Sequence, residues 1–396
     1  MTNLFYTRYL KPPPNNIILG KPFTIVWTVA NDLGEISYWE PLIIRCRITN
    51  TSTASLQLQE SKNGNSKNNR NKNNNKKLLN NEISTNTTTS VELEYDPVKG
   101  GGIMTNTFTV ISSNPLKTQK NDSVTIQLVL ELASGIKKHP IWTNARRVAM
   151  DDDTCCWIIP VYSLPMQILS ALSTSHNNNS AREYERRVSI RSQKAGSSQE
   201  QYELLIHEDA LPSIGSHIWD CGMLMCQYLA EKSFPYFDRI LELGSGTAIA
   251  GIYAAHMLKP SAIYLTDLEE TISTIEHNVS LLQGKHVNIV VKELEWGKPL
   301  PLDPNDKKRK RDAFDGTIDL VLLTDVLYNP SFHDALIDTL KQLMEINPKM
   351  KILLGYKPRD QGEERTFFDK IKKNLGWQWE MKLLPPAEIY WITSTT

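Results

Sequence analysis

The stretch from Ile240 to Gly251, which reads ILELGSGTAIAG, constrains the fold of this chain more than any other. An apolar run ends in Glu242, two glycines follow at Gly244 and Gly246, and Thr247 opens a helix of small apolar residues. Glycine is used where the backbone must approach a ligand closely or adopt a positive φ. A strand, a glycine turn and a helix in this order form a nucleotide cradle at the carboxyl edge of a parallel sheet.

Strands and helices alternate after this stretch, which predicts a parallel sheet with helices on both faces. The predicted strands are Ala262–Thr266, Val287–Val291, Asp319–Leu323 and Lys351–Gly355, and the predicted helices are Glu270–Leu282, Phe332–Glu345 and Glu363–Asn374. Two final strands, Trp377–Leu384 and Glu388–Ser394, are joined by a short connection. They are predicted to form an antiparallel hairpin, because a parallel return needs a longer crossover.

The N-terminal half reads as short β-strands separated by Gly, Pro, Asn and Ser, which predicts an all-β sandwich or barrel. The predicted strands are Phe23–Val29, Pro41–Ile48, Val91–Tyr95, Thr105–Ile111, Ser123–Leu132 and Cys156–Tyr162. Alternation within Ser123–Glu131 predicts a half-buried strand. Trp27, Trp39, Trp142 and Trp157 are interpreted as core residues. No catalytic constellation is visible here, so a structural or partner-binding module is expected.

Polar breaks divide the chain into an all-β accessory domain at 1–172, a linker at 173–182 and a second domain at 183–396. Residues 61–81 are almost entirely Asn, Lys, Ser and Gly. Such a segment cannot bury enough apolar surface to offset its ordering entropy, so a disordered insertion between strands is predicted.

Composition and charge limit the classes of partner and the cellular location that are expected for this chain. The chain has 396 residues with 44 Lys and Arg against 44 Asp and Glu, so its net charge gives no case for a nucleic-acid or membrane partner. No apolar stretch is long enough to cross a bilayer, and residues 1–14 lack an apolar signal-peptide core. A cytoplasmic protein is expected. The basic run Lys307–Arg311 makes nuclear entry the minority alternative.

The five cysteines form no Cys-x-x-Cys pair and no zinc pattern with a nearby histidine. Reduced, partly buried cysteines and no metal site are therefore expected, and a metal or thiol site is the alternative. His207 and His217 are interpreted as structural histidines rather than general bases.

The cofactor follows from the glycine spacing. A dinucleotide fingerprint needs a third glycine where Ile249 stands, and the Gly-Lys-Ser/Thr ending of a P-loop is absent. Glu242-x-Gly244-x-Gly246 with Asp267 at the end of the next strand is the pattern of S-adenosylmethionine binders. The carboxylate of Asp267 can accept both ribose hydroxyls, and a positive sulfonium requires no basic phosphate site.

Four motifs in order carry a resemblance to a known family: Ile218-Trp219-Asp220, Glu242–Thr247, Lys292–Gly297 and Asp325-Val326-Leu327-Tyr328. With them, residues 184–396 resemble the seven-strand methyltransferases, specifically methyltransferase family 16, the non-SET protein lysine methyltransferases. The resemblance implies a Rossmann-like α/β sheet and S-adenosylmethionine-dependent protein-lysine N-methyltransferase activity. Ala248 departs from the family, which usually has glycine there, and the N-terminal half has no part in the resemblance.

The resemblance also implies the site residues. Trp219, Gly244, Gly246, Asp267 and Trp296 should line the cofactor pocket, and Glu242 should hold the glycine turn or contact the amino-acid part of the cofactor. The two catalytic residues are Asp325, which should lie beside the sulfonium and the target amine, and Tyr328, which should shape the lysine channel. A helix cap is the alternative role for Asp325 and Asp267, and core packing is the alternative for Trp296.

The substrate implied by family analogy is an intracellular protein, such as a translation factor or a chaperone. Two alternatives stay open: a methyltransferase acting on a small molecule or nucleic acid, and a degenerate domain that serves as a binding scaffold. Tyr328-Asn329-Pro330 is not the Asn-Pro-Pro-Tyr motif of enzymes acting on planar amides or adenine, which favours a lysine amine. Neither a membrane nor a nucleic-acid partner is expected, and a monomer is favoured.

Overall fold

The structure is a computed structural model. It describes residues 2–49, 56–60, 89–112, 124–133, 135, 139–148, 155–169, 181–191, 201–210, 214–282, 288–300, 314, 316–360 and 362–394. The predicted insertion at 61–81, the basic run at 307–311 and most of the predicted linker lie outside these residues. In the described part of the chain, every helix is too short or too polar to traverse a bilayer.

The N-terminal half folds into two packed β-sheets. Their strands are β1 (Thr2–Lys11), β2 (Asn16–Ile18), β3 (Pro22–Ala30), β4 (Leu42–Thr49), β5 (Leu56–Glu60), β6 (Ser90–Tyr95), β7 (Ile103–Ser112), β8 (Thr125–Leu132), β9 (Arg146–Arg147), β10 (Cys155–Ile159), β11 (Val161–Ser163), β12 (Met166–Leu169), β13 (Glu183–Arg191) and β14 (Gln201–Asp209). One sheet has the order β5-β7-β3-β1-β10-β9. The other runs β14-β13-β11-β8-β12-β2, with β4 paired to β8 and β6 to β4. Residues of both sheets, such as Trp27 and Leu128, share one core, so the predicted sandwich-like β region is confirmed.

Three details of this half differ from the sequence prediction. The strand predicted at Cys156–Tyr162 is divided at Pro160, which cannot donate a ladder hydrogen bond. Strand β8 is buried on both faces rather than half-buried. Gln127, on its predicted polar face, is buried and donates to Glu185 of β13 at 2.7 Å. Trp39 is 47% exposed and does not lie in the core, unlike the other three tryptophans.

The C-terminal half is a seven-stranded sheet between helices. Its elements are α1 (Asp220–Glu231), β15 (Arg239–Leu243), α2 (Ile249–Leu258), β16 (Ala262–Asp267), α3 (Glu269–Ser280), β17 (Asn288–Glu293), β18 (Leu320–Thr324), α4 (His333–Ile346), β19 (Lys351–Tyr356), α5 (Thr366–Leu375), β20 (Gln378–Leu384) and β21 (Ala387–Thr393). The strand order is β17-β16-β15-β18-β19-β21-β20. The first five strands pair in parallel and β21 is antiparallel to both neighbours, so the predicted sheet and final hairpin are confirmed.

The two halves share a continuous apolar core. The hairpin β13–β14 pairs with β11 of the N-terminal half, although the predicted domain boundary places it with the C-terminal half. Side chains of this hairpin, such as Val188 and Ile206, belong to the same buried cluster as Met225 of α1 and Tyr6 of β1. The domain boundary at 173–182 remains a prediction, and the packing across the junction makes the halves one folded body.

A buried ion pair lies at this junction. Arg186 of β13 and Glu208 of β14 are both fully buried, and the guanidinium Nε donates to the Glu208 carboxylate. Arg186 also donates to the carbonyl oxygens of Pro160 at 2.9 Å and Thr7 at 3.2 Å. Glu208 accepts from the backbone N–H of Ile218, just before α1, at 3.0 Å. The pair therefore connects three segments of the N-terminal half to the start of the C-terminal sheet domain.

Breaking this pair should destabilise the whole chain. Glu208→Gln leaves the buried Arg186 guanidinium without its counter-charge, which is expected to lower the free energy of unfolding by about 3–5 kcal/mol. Urea denaturation measures the change. The matched control is Asp334→Asn, which removes the surface pair between Asp334 of α4 and Lys370 of α5 and should change stability by less than about 1 kcal/mol. Equal stability of the two variants would contradict the structural role of the buried pair.

Candidate active site

A cavity of about 980 Å³ opens at the carboxyl ends of the parallel strands. It is lined by residues that follow β15, β16, β17, β18 and β19, as expected for the ligand edge of an α/β sheet. Seven of the eight predicted site residues line it: Trp219, Gly244, Gly246, Asp267, Trp296, Asp325 and Tyr328. The structure therefore brings these seven predicted residues together around one cavity. Their individual roles remain predictions.

The glycine turn after β15 needs its glycines. Gly244 has φ 68°, and a Cβ there would lie 3.0 Å from Val326 Cγ1 and 3.1 Å from the Trp296 ring. Gly246 has φ 54°, and its N–H donates to Asp267 Oδ2 at 2.8 Å. At these glycines the turn therefore presents backbone atoms, rather than side chains, to the cavity.

Asp267 joins the turn to the end of β16. Besides the bond from Gly246, its Oδ1 accepts from the N–H of Leu268 at 2.8 Å. The N-cap residue of α3 is Leu268, and no side chain makes a capping bond there. Asp267 therefore does not take the helix-cap role that the sequence leaves open. Burial is the main cause that raises the pKa of its carboxyl group.

Asp325 follows β18 in a left-handed conformation. Its φ is 61°, its N–H donates to Gly355 O at 2.9 Å, and its side chain lines the cavity. Arg359, which follows β19, donates from Nη1 to Oδ1 at 2.8 Å and from Nη2 to Oδ2 at 2.5 Å. The following short helix is capped by Asn329, which accepts from Ser331 N–H, so Asp325 has no capping role. Positive φ at a non-glycine residue is a strain that folded proteins concentrate at functional sites.

The two predicted tryptophans, Trp219 and Trp296, line the cavity, whereas the predicted Glu242 lies elsewhere. Both tryptophans are half-buried, and Trp219 Nε1 donates to Ile214 O at 3.0 Å. Glu242 does not line the cavity. Its side chain is fully buried on the α2 side of β15, where a Cβ on Gly251 would lie 2.3 Å from its Oε2. A direct cofactor contact by Glu242 is therefore not supported, and holding the turn is the role that fits.

Sequence reasoning missed the charged residues around Asp325. Arg359 could have been predicted from the sequence, because polar residues that follow a parallel strand meet at the same sheet edge as Asp325. Asp32 and Leu33, in the β3–β4 connection, could not, because no local pattern predicts that the N-terminal half reaches this cavity. Leu33 nevertheless lines it, and Asp32 bonds Arg359 Nη2 at 3.2 Å.

The histidines predicted to be structural lie in polar contacts. His207 Nδ1 is 2.7 Å from His277 Nε2, outside the cavity, while His217 lines the cavity with Nδ1 3.8 Å from Glu208 Oε1. Glu183, His207 and His277 are close enough to hold a metal ion. The expectation of no metal site remains a prediction. The cysteines with described side chains, Cys46, Cys156, Cys221 and Cys226, are all buried.

The arrangement fits S-adenosylmethionine. The glycine turn offers a surface that a Cβ would obstruct, the Asp267 carboxylate lines the cavity at the end of the second strand, and the Trp296 ring lies against the turn. The seven-stranded sheet and this cavity define an S-adenosylmethionine-dependent methyltransferase.

Comparison with known proteins gives the family. The model of the family described as "Lysine methyltransferase" matches residues 198–374. The protein-lysine N-methyltransferase EFM6 of Saccharomyces cerevisiae is 32% identical over 178 residues, which cover 41% of this chain and 70% of that protein. EEF1A lysine methyltransferase 3 of Xenopus tropicalis is 30% identical over 42% of this chain and 67% of its own. Protein N-lysine methyltransferase METTL21A of Danio rerio is 29% identical over 42% of this chain and 70% of its own.

The chain belongs to this lysine methyltransferase family, and it is an S-adenosylmethionine-dependent protein-lysine N-methyltransferase. The matched region includes β14 and ends in α5, so strands β1–β13 lie outside it.

Ala248 is strained where the family usually has glycine. It precedes α2 with φ 60° and ψ 20°, and it is fully buried. Left-handed backbone costs a non-glycine residue about 1–2 kcal/mol, part of which the larger unfolded-state entropy of glycine offsets. Ala248→Gly is therefore expected to raise the free energy of unfolding by up to about 1 kcal/mol, as measured in urea. Ala250→Gly, inside α2, is the control and should lower it by about 1 kcal/mol. An equal loss in both variants would contradict the strain.

Glu242 should make stability depend on pH. Burial raises the pKa of its carboxyl group to about 8. Between the unfolded-state pKa, about 4.3, and this value, unfolding releases a proton, so stability falls as pH rises through that window. Glu242→Gln stays neutral and should lose this dependence. The melting temperature of the variant relative to wild type is expected to increase steadily from pH 5.5 to pH 8.5. A constant difference would show that Glu242 is ionised in the fold.

Proposed function

We propose that the protein methylates a lysine side chain of a cytoplasmic translation factor, with Asp325 and Tyr328 acting on the target amine. The observation that carries the catalytic assignment is the strained Asp325, whose carboxylate faces the cavity beside the glycine turn. The name of the Xenopus tropicalis relative, EEF1A lysine methyltransferase 3, supports a translation factor as the substrate. A chaperone is the alternative.

S-adenosylmethionine, when bound, supplies a methyl group on a positively charged sulfonium. The residues that would hold it are Trp219, Gly244, Gly246, Asp267 and Trp296, which line the cavity. In this proposal the Asp267 carboxylate accepts hydrogen bonds from the ribose, and the glycine turn admits the rest of the cofactor at close range. Positioning is the main contribution of such a site, because the amine must approach the methyl group on the side opposite sulfur.

The target lysine must enter the site as a neutral amine, because its ammonium form has no lone pair. Removal from water lowers the pKa of an ammonium group. Arg359 neutralises much of the Asp325 charge that would otherwise favour the ammonium form. The two oxygens of Asp325 offer about four acceptor positions, of which Arg359 uses two and the Cys221 thiol one. Asp325 can therefore orient the amine and stabilise the positive charge that the methylated nitrogen carries.

Tyr328 lies at the mouth of the same cavity, 46% exposed. Burial, then the charges of Asp267 and Asp325, raise the pKa of its phenol, so the hydroxyl remains a hydrogen-bond donor at neutral pH. The ring can form one wall of a lysine channel, and the hydroxyl can bond the entering side chain.

The rim of the cavity suits a protein rather than a nucleic acid. Exposed apolar side chains surround it: Leu33, Ile214, Leu268, Tyr328 and Phe332. Apolar rims of this kind mark protein-binding surfaces. Among the lining residues that the structure describes, Arg359 is the one lysine or arginine, and it is already paired. Binding of a phosphate backbone requires several such cations.

The proposal is tested with the purified full chain. S-adenosylhomocysteine at 100 times its Kd should stabilise the protein by about 2.7 kcal/mol, measured as a thermal shift. Tritiated methyl transfer from S-adenosylmethionine to a cell extract, followed by protease or nuclease, identifies the substrate class. Label lost with protease and kept with nuclease, and located on lysine of a translation factor by mass spectrometry, supports the proposal. Nuclease-sensitive label would overturn the protein substrate, and label on an unrelated protein would overturn the translation-factor assignment.

Asp325→Asn tests the catalytic assignment in the same extract. The amide keeps the shape but lacks the negative charge at the amine, so methyl transfer should fall by about 10²-fold or more. Asp334→Asn, which removes an exposed carboxylate on α4, should leave the transfer rate unchanged. Full activity of Asp325→Asn would remove Asp325 from the mechanism.

A further inference from the structure

The connection between β3 and β4 carries a buried carboxylate from the N-terminal half into the active site. The side chain of Asp32 is fully buried. Its Oδ1 accepts from Lys357 Nζ at 2.8 Å, and its Oδ2 accepts from Arg359 Nη2 at 3.2 Å. The backbone carbonyl of Asp32 accepts from Arg8 Nη2 at 2.6 Å, which attaches the loop to β1. Asp32 therefore reaches both cations that follow β19.

Arg359 lies between two carboxylates from distant parts of the chain. Asp325 accepts both Nη groups, and Asp32 accepts Nη2 from the other side. The guanidinium carbon is also 5.5 Å from the centre of the Trp219 ring. A planar guanidinium fixed by a bidentate pair and a second carboxylate has little freedom to turn. Its plane in turn fixes the plane of the Asp325 carboxylate.

The charges of the cluster keep Asp32 ionised. Burial is the largest influence on its pKa and opposes ionisation, but Lys357 and then Arg359 outweigh it and hold the pKa below its ordinary value. Lys357 has a second partner, since its Nζ also lies 2.7 Å from Asp220 Oδ2. Arg359 has Asp32 and Asp325 as its carboxylate partners in the described chain. Loss of Asp32 thus leaves Lys357 a buried carboxylate and leaves Arg359 with Asp325 as its carboxylate partner in the described chain.

We propose that Asp32 is a positioning residue for methyl transfer, which acts through Arg359 to fix the Asp325 carboxylate against the target amine. The β region is then part of the catalytic apparatus as well as a neighbour of it. The inference rests on the proposed role of Asp325. A displacement of about 1 Å at a reacting group can lower a rate by about 10²-fold, so an anchor outside the cavity can control the rate.

Asp32→Asn is the central test, because the amide keeps the volume of the side chain and removes its charge. With the full chain and a cell extract, the maximal rate of tritiated methyl transfer should fall by about 10- to 100-fold. The KM for S-adenosylmethionine and the Kd for S-adenosylhomocysteine should change far less than the rate, because Asp32 reaches the proposed cofactor residues only indirectly, through Arg359 over the Trp219 ring and through the N–H of Asp220. A purely structural loss would instead lower the amount of active protein, with matching losses in S-adenosylhomocysteine binding capacity and in rate.

Tyr6→Phe is the matched control in the same interface. The Tyr6 hydroxyl donates to Asp220 Oδ1 at 2.7 Å, so the variant loses a buried bond between the halves and keeps the Arg359 contacts. Its transfer rate should equal that of wild type, even if its melting temperature falls as far as that of Asp32→Asn. Equal rate losses in both variants would overturn the proposal, since interface stability would then explain the effect.

A second readout needs no substrate. In arginine-labelled full-length protein, NMR resolves the two Nη groups of a guanidinium whose rotation is slow, and Arg359→Lys identifies the Arg359 signals. These signals should be separate in wild type and Tyr6→Phe, and exchange-averaged in Asp32→Asn. Slow rotation in Asp32→Asn together with a wild-type transfer rate would overturn the proposal. If wild type transfers no methyl group to protein, the proposed function fails, and the NMR result still decides whether Asp32 holds Arg359.

Asp32→Glu provides a conservative variant in case the amide prevents folding. It restores the charge one methylene further along, so it should recover slow Arg359 rotation and part of the transfer rate. A Glu variant that folds, keeps Arg359 mobile and transfers methyl groups at the wild-type rate would also contradict the positioning role.

Discussion

The fold depends on satisfying buried charge across its two halves. Arg186 and Arg359 are both largely removed from water. Arg359 pairs with carboxylates from two segments far apart in the chain, and Arg186 pairs with Glu208 while bonding carbonyl oxygens of Thr7 and Pro160. A buried ion pair gains little over apolar packing, but an unpaired buried charge costs several kcal/mol. The arrangement therefore adds specificity more than net stability: β1, the hairpin β13–β14 and the end of β19 must come together in one geometry, or a charge is left without its partner.

Backbone strain is concentrated at the edge of the sheet where these charges meet. Gly244, Gly246, Ala248 and Asp325 all have positive φ, and all lie within the turns that follow β15 and β18. Two of the four are not glycine, so their conformation must be imposed by their surroundings. The buried strands supply that constraint from one side, since Asp325 N–H bonds to Gly355 on β19. The Arg359 guanidinium supplies it from the other, where the carboxylate would otherwise be mobile.

The C-terminal half could be predicted well because its signals are local. The glycine turn, the alternation of strands and helices and the four motifs each lie within a few residues, and together they place seven of eight site residues around one cavity. Glu242 lies outside the cavity because alternation along β15 directs its side chain beneath α2, where it can still hold the turn. In the N-terminal half, β1 was missed because its polar and apolar residues do not alternate cleanly, and Trp39 was wrongly assigned to the core because composition does not tell which face of a loop is covered.

The contribution of Asp32 could not have been predicted by any local rule. It lies 188 positions before Asp220 and 327 before Arg359 in the chain. The four residues that follow it are all exposed, so its loop gives no sign that Asp32 is buried. The same loop places Leu33 in the cavity wall directly beside the buried carboxylate. The connection between β3 and β4 thus combines the proposed anchor of Arg359 and Asp325 with an apolar contact for the proposed substrate protein. Since the anchor is buried and the contact is exposed, the outer residues of this loop can change to suit a different substrate protein while Asp32 continues to hold Arg359.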